Sequence, residues 1–308
     1  MNNNKILITG VSGFIGRSLV EQVINNLLNY DIYGIDIKEP IFNNPEYSRC
    51  VDFEKIDICD KKAVDAYFDK HKFAGVIHLA AVSRVIDAEY DKDRCINVNL
   101  HGTMNIVEAA ARNKDAWFIF GSSREVYGEQ NILPVKESAE KKPINIYGDI
   151  KLKGEFFVRY MIDRYVILRF SNVYGNNYDI DGRVIPTFVK QAMNGKTLFL
   201  EGGEQIIDFT YIDDTTQTIV EIVKLLEKNE IHSEELHISP GLGVKITDIV
   251  VYLEKKFGRK LDVQIRYKRN YDVVRFIGDS SKRMKILGDL HFKNVQEGID
   301  TYIDKIKS

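Results

Sequence analysis

The 308-residue sequence has few cysteines, no long hydrophobic run and almost no net charge. Its three cysteines, Cys50, Cys59 and Cys95, are widely spaced and form no metal-ligand pattern. We therefore expect inert thiols in a reducing, cytoplasmic environment and no metal site. No stretch is long and apolar enough to cross a bilayer, and no apolar leader precedes the first apolar run, so we expect no membrane partner. The formal net charge of -2 gives no reason to expect nucleic acid as a partner.

The composition is that of a folded globular protein. Hydrophobic residues make up 44% of the chain and charged residues 29%, without low-complexity tracts or internal repeats. A chain of this length is expected to form about two domains.

The first 170 residues alternate between short apolar runs and helical patterns. This alternation predicts an α/β fold with a doubly wound parallel sheet, the Rossmann arrangement. Strands are predicted at 5–9, 31–36, 51–57, 75–81, 116–120 and 165–170, and helices at 14–28, 63–70, 91–112 and 146–164.

The pattern loosens after residue 172. Helices are predicted at 185–194 and 247–257, and strands at 236–239 and 262–267. We interpret these elements as a smaller mixed α/β lobe that binds substrate. The predicted division is a cofactor domain over 1–172, with segments around 208–230 (chiefly 213–228) returning to it, and a substrate lobe over most of 173–308.

Three glycines follow the first predicted strand: Gly10, Gly13 and Gly16, with Phe14 and Ile15 between the last two. Without side chains, the backbone can turn tightly and its N–H groups can approach a pyrophosphate at a helix N-terminus. The spacing has one more residue between the first two glycines than the GxGxxG fingerprint. Alone it could be a simple strand–helix turn, but the flanking elements favour a dinucleotide site.

Acidic residues end the next two predicted strands. Asp36 lies twenty residues after Gly16, where a carboxylate can accept from both ribose hydroxyls and repel a 2′-phosphate. The sequence therefore favours NAD over NADP, with the nearby Lys38 as a counter-argument. Asp57 and Ile58 are predicted to hold the adenine; the alternative is an ordinary acidic strand end.

Tyr147 and Lys151 are spaced four residues apart on a predicted helix, so they project from one face. An ammonium beside a phenol lowers the phenol pKa. A base acting near neutrality needs that pKa about three below its ordinary value of ~10, which corresponds to roughly 4 kcal/mol. A bound nicotinamide cation would add to the effect of the lysine. Downstream of a dinucleotide turn and a strand ending in Ser122-Ser123, the pair indicates catalysis.

Seven motifs occur in the order found in one enzyme family. The chain resembles the extended short-chain dehydrogenases/reductases, specifically their NAD-dependent nucleotide-sugar epimerases and dehydratases. The motifs are TGVSGFIG (9–16), HLAA (78–81), NVNLHGT (97–103), SSREVYG (122–128), YGDIK (147–151), LRFSNVYG (168–175) and DFTYIDD (208–214).

The resemblance implies further cofactor contacts. Leu79, Ala80 and Ala81 would line the cofactor beside the nicotinamide ribose, and Asn99 would support that wall. Phe170 would touch the nicotinamide. His78, like Trp117, is interpreted as a packing residue.

The resemblance also implies the chemistry. Ser123 would hydrogen-bond the substrate hydroxyl, Tyr147 would be its base, and Lys151 would hold the ribose. Asn172 would contact the sugar-linked diphosphate. The family's usual reaction removes hydride from sugar C4 to NAD and leaves a 4-keto species.

Three departures from the family pattern affect the expected activity. Ile207 replaces an arginine that pairs with the nucleotide diphosphate in many relatives, although Arg269 fits a second such motif. Glu125 occupies the position of the dehydratase base at C5, but Arg124 stands where many dehydratases have an acid. An ion pair between these two neighbours is the alternative role for Glu125. Ser83 and Arg84 would face the substrate or another subunit, or Arg84 would be a solvated cation.

The expected function is hydride transfer at C4 of a nucleotide-diphosphate sugar, with epimerisation favoured. Net C4 oxidation by a 4-dehydrogenase and 4,6-dehydration are the alternatives, and a non-catalytic NAD-binding module is a remote one. The resemblance also implies a homodimer or tetramer built through helices 91–112 and 146–164.

Overall fold

The computed structural model of the protein describes residues 4–26 and 30–307, and thirteen strands lie within these ranges. In chain order, β1 to β13 are Lys5–Thr9, Asp31–Asp36, Val51–Lys55, Gly75–His78, Trp117–Ser123, Tyr165–Phe170, Asn172–Tyr174, Leu198–Glu201, Ile206–Tyr211, Ser233–Ile238, Gly243–Lys245, Val263–Arg266 and Arg275–Phe276.

Eleven α-helices connect and cover these strands in the described part of the chain. In chain order, α1 to α11 are Phe14–Asn26, Lys61–Lys70, Val85–Tyr90, Lys92–Ile96, Thr103–Ala110, Ile146–Met161, Val184–Met193, Ile212–Glu227, Ile246–Phe257, Ser281–Leu287 and Val295–Lys307. Leu27 and Leu28, which the sequence assigned to the first helix, lie outside the described residues. None of the helices in the described ranges combines the length and apolar character needed to cross a membrane.

Seven strands form one parallel sheet in the order β10-β6-β5-β4-β1-β2-β3. The chain runs outward from β1 to β3 and then returns to the other side of β1 at β4. This reversal opens a crevice at the carboxyl ends of β1 and β4, where open α/β sheets bind ligands. The predicted doubly wound parallel sheet is confirmed.

Helices cover both faces of the sheet, which is why its central strands β1, β4 and β5 are buried along almost their whole length. On one face α1 and α8 pack together, with Leu19 and Ile219 fully buried in a common core. On the other face α2, α5 and α6 contribute buried side chains such as Val64 and Val158. Helix α8, which covers most of segment 213–228, thus packs against the first helix of the chain.

The remaining strands form two small sheets that carry part of the substrate side. Strand β9 pairs with β7, β11 and β13, while β8 pairs with β12. Helices α7, α9 and α11 pack with them around a separate core that includes Phe188, Leu253 and Ile299. Strands β8 and β9 were not predicted, whereas the strand predicted at 262–267 is present as the shorter β12.

One assignment to the smaller lobe is wrong. The strand predicted at 236–239 is β10, which pairs in parallel with β6 and completes the edge of the large sheet. Sequence periodicity identifies a strand but does not identify its partner, because the partner lies about seventy positions away in the chain.

The predicted helix over 91–112 is present but changes its winding. Helix α4 continues through a π-helical segment, Asn97–Gly102, directly into α5. A π-helical turn shifts side chains relative to a regular α-helix and is often found at functional sites. Here the segment carries Asn99, which faces the end of β4.

Candidate active site

A cleft with a volume of about 1320 Å³ opens at the carboxyl ends of the central strands and continues between the large sheet and the small sheets. Every residue that the sequence assigned to the site lines this cleft, apart from Asn99. The predicted site residues, which extend in sequence from the glycine turn to Arg269, therefore lie around one cleft.

The glycine turn requires close backbone contacts at two positions. Gly10 has a φ of +72°, and a Cβ there would lie 2.6 Å from the backbone nitrogen of Ala80. A Cβ on Gly16 would lie 2.2 Å from the Gly10 carbonyl oxygen. The turn therefore packs directly against the end of β4, and α1 begins immediately after it at Phe14. The exposed N-terminal N–H groups of this 13-residue helix fit a pyrophosphate.

Asp36 lies at the end of β2 beside this turn. Its carboxylate accepts from the backbone N–H groups of Ser12, at 3.0 Å, and Ile37, at 2.7 Å. These bonds hold the side chain against the glycine turn, where a ribose hydroxyl would reach it. Arg17 also lines the cleft, but its guanidinium donates to the Ile41 carbonyl and lies 4.3 Å from the Tyr178 ring centroid.

Asp57 and Ile58 follow β3, which ends at Lys55 rather than at residue 57. The Asp57 carboxylate accepts from the Cys59 N–H at 2.9 Å and stabilises the turn into α2. Ile58 packs against Gly102, where a Cβ would lie 2.6 Å from its side chain. Both residues still line the cleft, so they fit the predicted adenine end.

Leu79, Ala80 and Ala81 form a wall of the cleft just beyond β4. Asn99 is fully buried behind this wall, where its side-chain amide donates to the Val82 carbonyl and accepts from the Val82 N–H, at 2.9 and 2.7 Å. Asn99 therefore holds the wall from behind and does not itself line the cleft.

His78 is a structural residue, as predicted. Its ring nitrogens lie 2.6 Å from Thr9 Oγ1 and 2.9 Å from Thr103 Oγ1. Burial lowers the pKa of His78 to about 3, so the ring is neutral. It links β1, β4 and α5 beneath the cleft.

Ser123, Tyr147 and Lys151 meet in the middle of the cleft. Ser123 ends β5, and its hydroxyl lies near enough to the Tyr147 side chain to lower the pKa of the phenol. Lys151 lies one turn along α6 from Tyr147, with its Nζ 5.9 Å from the tyrosine ring centroid, and donates to the Gly121 carbonyl at 2.7 Å. All three side chains are at least nine-tenths buried. The arrangement gives a phenol, a hydroxyl and an ammonium in a site from which water is largely excluded.

The pKa of Tyr147 is shifted in the direction opposite to the one expected from the sequence. Burial raises the pKa of Tyr147, and Glu125 adds to the rise, while Arg183 and the Ser123 hydroxyl oppose it. Lys151 therefore does not produce the expected net lowering of the Tyr147 pKa. The physical reason is that desolvation penalises the buried phenolate more strongly than the neighbouring charges stabilise it.

Glu125 is held in an ion pair. Its Oε1 lies 3.0 Å from Arg124 Nη2, and its Oε2 accepts from Asn145 Nδ2 at 2.7 Å. Asn145 is also the N-cap of α6, since its Oδ1 accepts from the Gly148 N–H at 2.8 Å. Both carboxylate oxygens are thus engaged, as in the alternative role considered for Glu125.

Several arginine side chains line the part of the cleft where the substrate is expected. Arg84 stands beside Ser83 at the start of α3, with its Nε 3.8 Å from Asp87, and Arg269 donates to Asp272 at 2.8 Å. Ile207 also lines the cleft, where an apolar side chain replaces the family arginine. Asn172 is positioned by Arg124, which donates to its Oδ1 at 2.9 Å.

Two further cationic residues, Arg183 and Arg124, lie in the cleft without having been predicted there. Arg183 lines the cleft from the loop before α7, and its charge acts on Tyr147. No periodic pattern marks that loop, so the sequence contains no signal for it. Arg124 was considered there only as a replacement for an acid; its position directly after Ser123 was the signal for a cleft residue.

Fold and site together are those of a dinucleotide-dependent enzyme with a buried tyrosine and lysine in the middle of its cleft. The family model described as "NAD dependent epimerase/dehydratase family" matches residues 6–234. The chain belongs to this NAD-dependent family.

Curated relatives and solved structures agree with this assignment. The chain is 31% identical to a putative UDP-glucose 4-epimerase of Methanocaldococcus jannaschii, with 98% of each chain covered. It is 28% identical to the dTDP-glucose 4,6-dehydratase of Neisseria meningitidis, with 96% of this chain and 91% of the relative covered. Its structure is similar to that of Bacillus cereus UDP-glucuronic acid 4-epimerase in complex with UDP-glucuronic acid and NAD, with a TM-score of 0.85, 28% identity, and 98% and 99% of the two chains covered.

Replacing Asp36 with alanine is expected to lower NAD affinity by about 10-fold or more, because charge-assisted hydrogen bonds to the ribose are lost. The difference in affinity between NAD and NADP should decrease, because the variant has no carboxylate to repel a 2′-phosphate. Titration calorimetry with both cofactors measures the two effects. Asp31→Ala, at the exposed start of the same strand, is the matched control. Unchanged NAD affinity in Asp36→Ala would exclude the ribose contact.

Lys151 generates a prediction about the pH dependence of stability. Burial lowers the pKa of Lys151 from its ordinary value of 10.5 to about 8. Between these pH values the unfolded chain binds more protons at this residue than the folded protein does. Its contribution to the free energy of unfolding must therefore increase as pH rises from about 8 to about 10.5.

Urea denaturation of the cofactor-free wild type and of Lys151→Met across this pH range measures that contribution. The stability of the wild type relative to the variant should rise with pH, since groups common to both proteins cancel. A constant or falling difference would show that the lysine is not desolvated in the folded protein.

Proposed function

We propose that this enzyme inverts C4 of the sugar in a nucleoside-diphosphate sugar. The observation that carries the proposal is the contact between Ser123 and Tyr147 in the same cleft as the glycine turn. A cofactor held at that turn and a nucleotide held near Arg269 would leave the sugar between them, at the Ser123–Tyr147 pair.

The residues of the chain have separable roles in this reaction. When bound, NAD supplies the acceptor and donor of hydride at the sugar carbon. Ser123 positions the sugar hydroxyl, and Tyr147 takes up its proton as the carbonyl forms and returns it when the carbonyl is reduced. Lys151 holds the ribose of the cofactor and keeps a positive charge near the phenol. The low exposure of the three side chains favours retention of the ketone and excludes water.

The environment of Glu125 favours epimerisation over dehydration. A base at C5 needs an accessible carboxylate, whereas Arg124 and Asn145 engage both oxygens of Glu125. An acid for the departing C6 hydroxyl is also required, and a guanidinium does not release a proton at neutral pH. Net oxidation by a 4-dehydrogenase remains the alternative for the same catalytic group.

Incubation with a panel of UDP-, dTDP-, GDP- and CDP-sugars, with products resolved by mass and NMR, tests the proposal. Epimerisation leaves the mass unchanged, dehydration removes one water, and oxidation removes two hydrogens. A non-catalytic module would convert none of these sugars even with NAD bound.

Tyr147→Phe is expected to bind NAD as tightly as the wild type but to lose turnover by about 100-fold or more, because the ring is kept and the proton acceptor is removed. Turnover is measured with the sugar that the panel identifies, and NAD binding by calorimetry. Phe157→Tyr, on the same helix and outside the cleft, controls for altered packing of α6. Full activity of Tyr147→Phe would refute the proton-transfer role.

We also propose that the protein forms a homodimer or a dimer-based tetramer through the helices around α4–α5 and α6. Phe156 and Tyr160 on α6 are 59% and 80% exposed, and their rings stack at 6.1 Å. Contiguous exposed aromatic side chains of this kind are typical of protein interfaces. The proposed cytoplasmic location is supported by the three free cysteines.

Sedimentation of the wild type at micromolar concentration should give at least the mass of a dimer. Tyr160→Glu should shift the protein towards the monomer, because it places a charge in the apolar contact. Tyr267→Glu, at a residue that is 98% exposed directly after β12, is the matched control. A monomeric wild type would contradict the interface.

A further inference from the structure

Arg124 is a buried arginine at the centre of the cleft. It begins the short 3₁₀ helix Arg124–Tyr127, directly after Ser123, and is only 6% exposed. Its side chain lines the same cleft as Ser123 and Tyr147.

Two of its three guanidinium nitrogens are committed to the protein. Nε donates to Asn172 Oδ1 at 2.9 Å, and Nη2 lies 3.0 Å from Glu125 Oε1. The guanidinium carbon also lies 5.6 Å from the ring centroid of Phe276. These contacts fix the plane of the guanidinium before any substrate arrives.

The third nitrogen, Nη1, is buried and has no hydrogen-bond partner among residues 4–26 and 30–307. An arginine cannot relieve such a deficit by losing its proton. Buried donors in native proteins almost always have partners, so an unpaired one in a ligand cleft indicates that the ligand supplies the acceptor.

The charges around Nη1 indicate the kind of acceptor. Glu125 already balances the charge of Arg124, and Asn145 holds the other carboxylate oxygen. An anionic group bound at Nη1 would lie close to Glu125 and be repelled by it. A neutral hydroxyl oxygen can accept the hydrogen bond without that repulsion.

We propose that Arg124 is a specificity-determining residue that donates from Nη1 to a hydroxyl oxygen of the substrate sugar near the reacting carbon. The inference rests on the proposed function, because it assumes that the sugar lies beside the Ser123–Tyr147 pair. The enzyme then selects sugars that carry this hydroxyl, and the ion pair with Glu125 keeps the donor in place. Glu125 is accordingly a positioning residue for Arg124.

The test compares kcat/KM for the best sugar of the panel with kcat/KM for its 2-deoxy, 3-deoxy and 6-deoxy analogues, in the wild type and in Arg124→Lys. For the wild type, loss of the hydroxyl that accepts from Nη1 should reduce kcat/KM about 10- to 100-fold, as expected for a hydrogen bond to a charged group. Arg124→Lys retains the positive charge beside Glu125 but lacks the guanidinium fork. In this variant, the same analogue should reduce kcat/KM by less than about threefold.

Each ratio compares kcat/KM for two substrates on one protein. A partial loss of folded enzyme lowers both values equally and leaves their ratio unchanged. Arg124→Gln provides a second variant, and Arg112→Lys, in an exposed ion pair with Asp69, is the control that should keep the wild-type ratios. Equal penalties for all three analogues in wild type and both Arg124 variants would overturn the proposal. So would a wild-type preference for the corresponding uronic acid that disappears in Arg124→Lys, since the acceptor would then be a carboxylate.

The same experiment distinguishes failure of the proposed function from failure of the proposed role of Arg124. If the wild type converts no sugar of the panel, the proposed function fails and the role of Arg124 falls with it. If the wild type converts a sugar but no analogue distinguishes the Arg124 variants from it, the role of Arg124 alone is refuted.

Discussion

The site depends on the contact between the glycine turn and the end of β4. At Gly10 the two backbones approach so closely that a single Cβ would meet the Ala80 nitrogen at 2.6 Å. This contact sets the position of α1, whose N-terminus provides the anion-binding end of the cleft, relative to the wall that follows β4. The wall is in turn held from behind by Asn99, on a π-helical turn. Backbone packing therefore creates the cofactor surface before any charged side chain contributes.

Burial acts in opposite directions on the two ionisable groups of the catalytic centre. It lowers the pKa of Lys151 and raises that of Tyr147, because both residues are more stable without charge in a site with little water. Burial thus favours the neutral phenol, and the charges that favour the phenolate act against desolvation. Arg183, contributed by the loop before α7, is one of these charges.

Glu125 illustrates why a residue type at a motif position does not define its chemistry. The position predicts a base, yet the carboxylate is bound by Arg124 and by the N-cap residue of α6. The same interactions orient the guanidinium of Arg124, whose third nitrogen has no partner among the described residues. The carboxylate thus serves as a support for its neighbour.

The alternating apolar runs, the glycine turn and the four-residue spacing of Tyr147 and Lys151 could all be read from the sequence, because each is a local pattern imposed by strand or helix geometry. The predicted site residues accordingly line one cleft, apart from Asn99. Tertiary structure alone decided that β10 completes the large sheet, that Arg183 reaches the catalytic centre, and that Glu125 is paired rather than accessible. Strand pairing, burial and ion pairing depend on residues distant in the chain, and local periodicity contains no information about them.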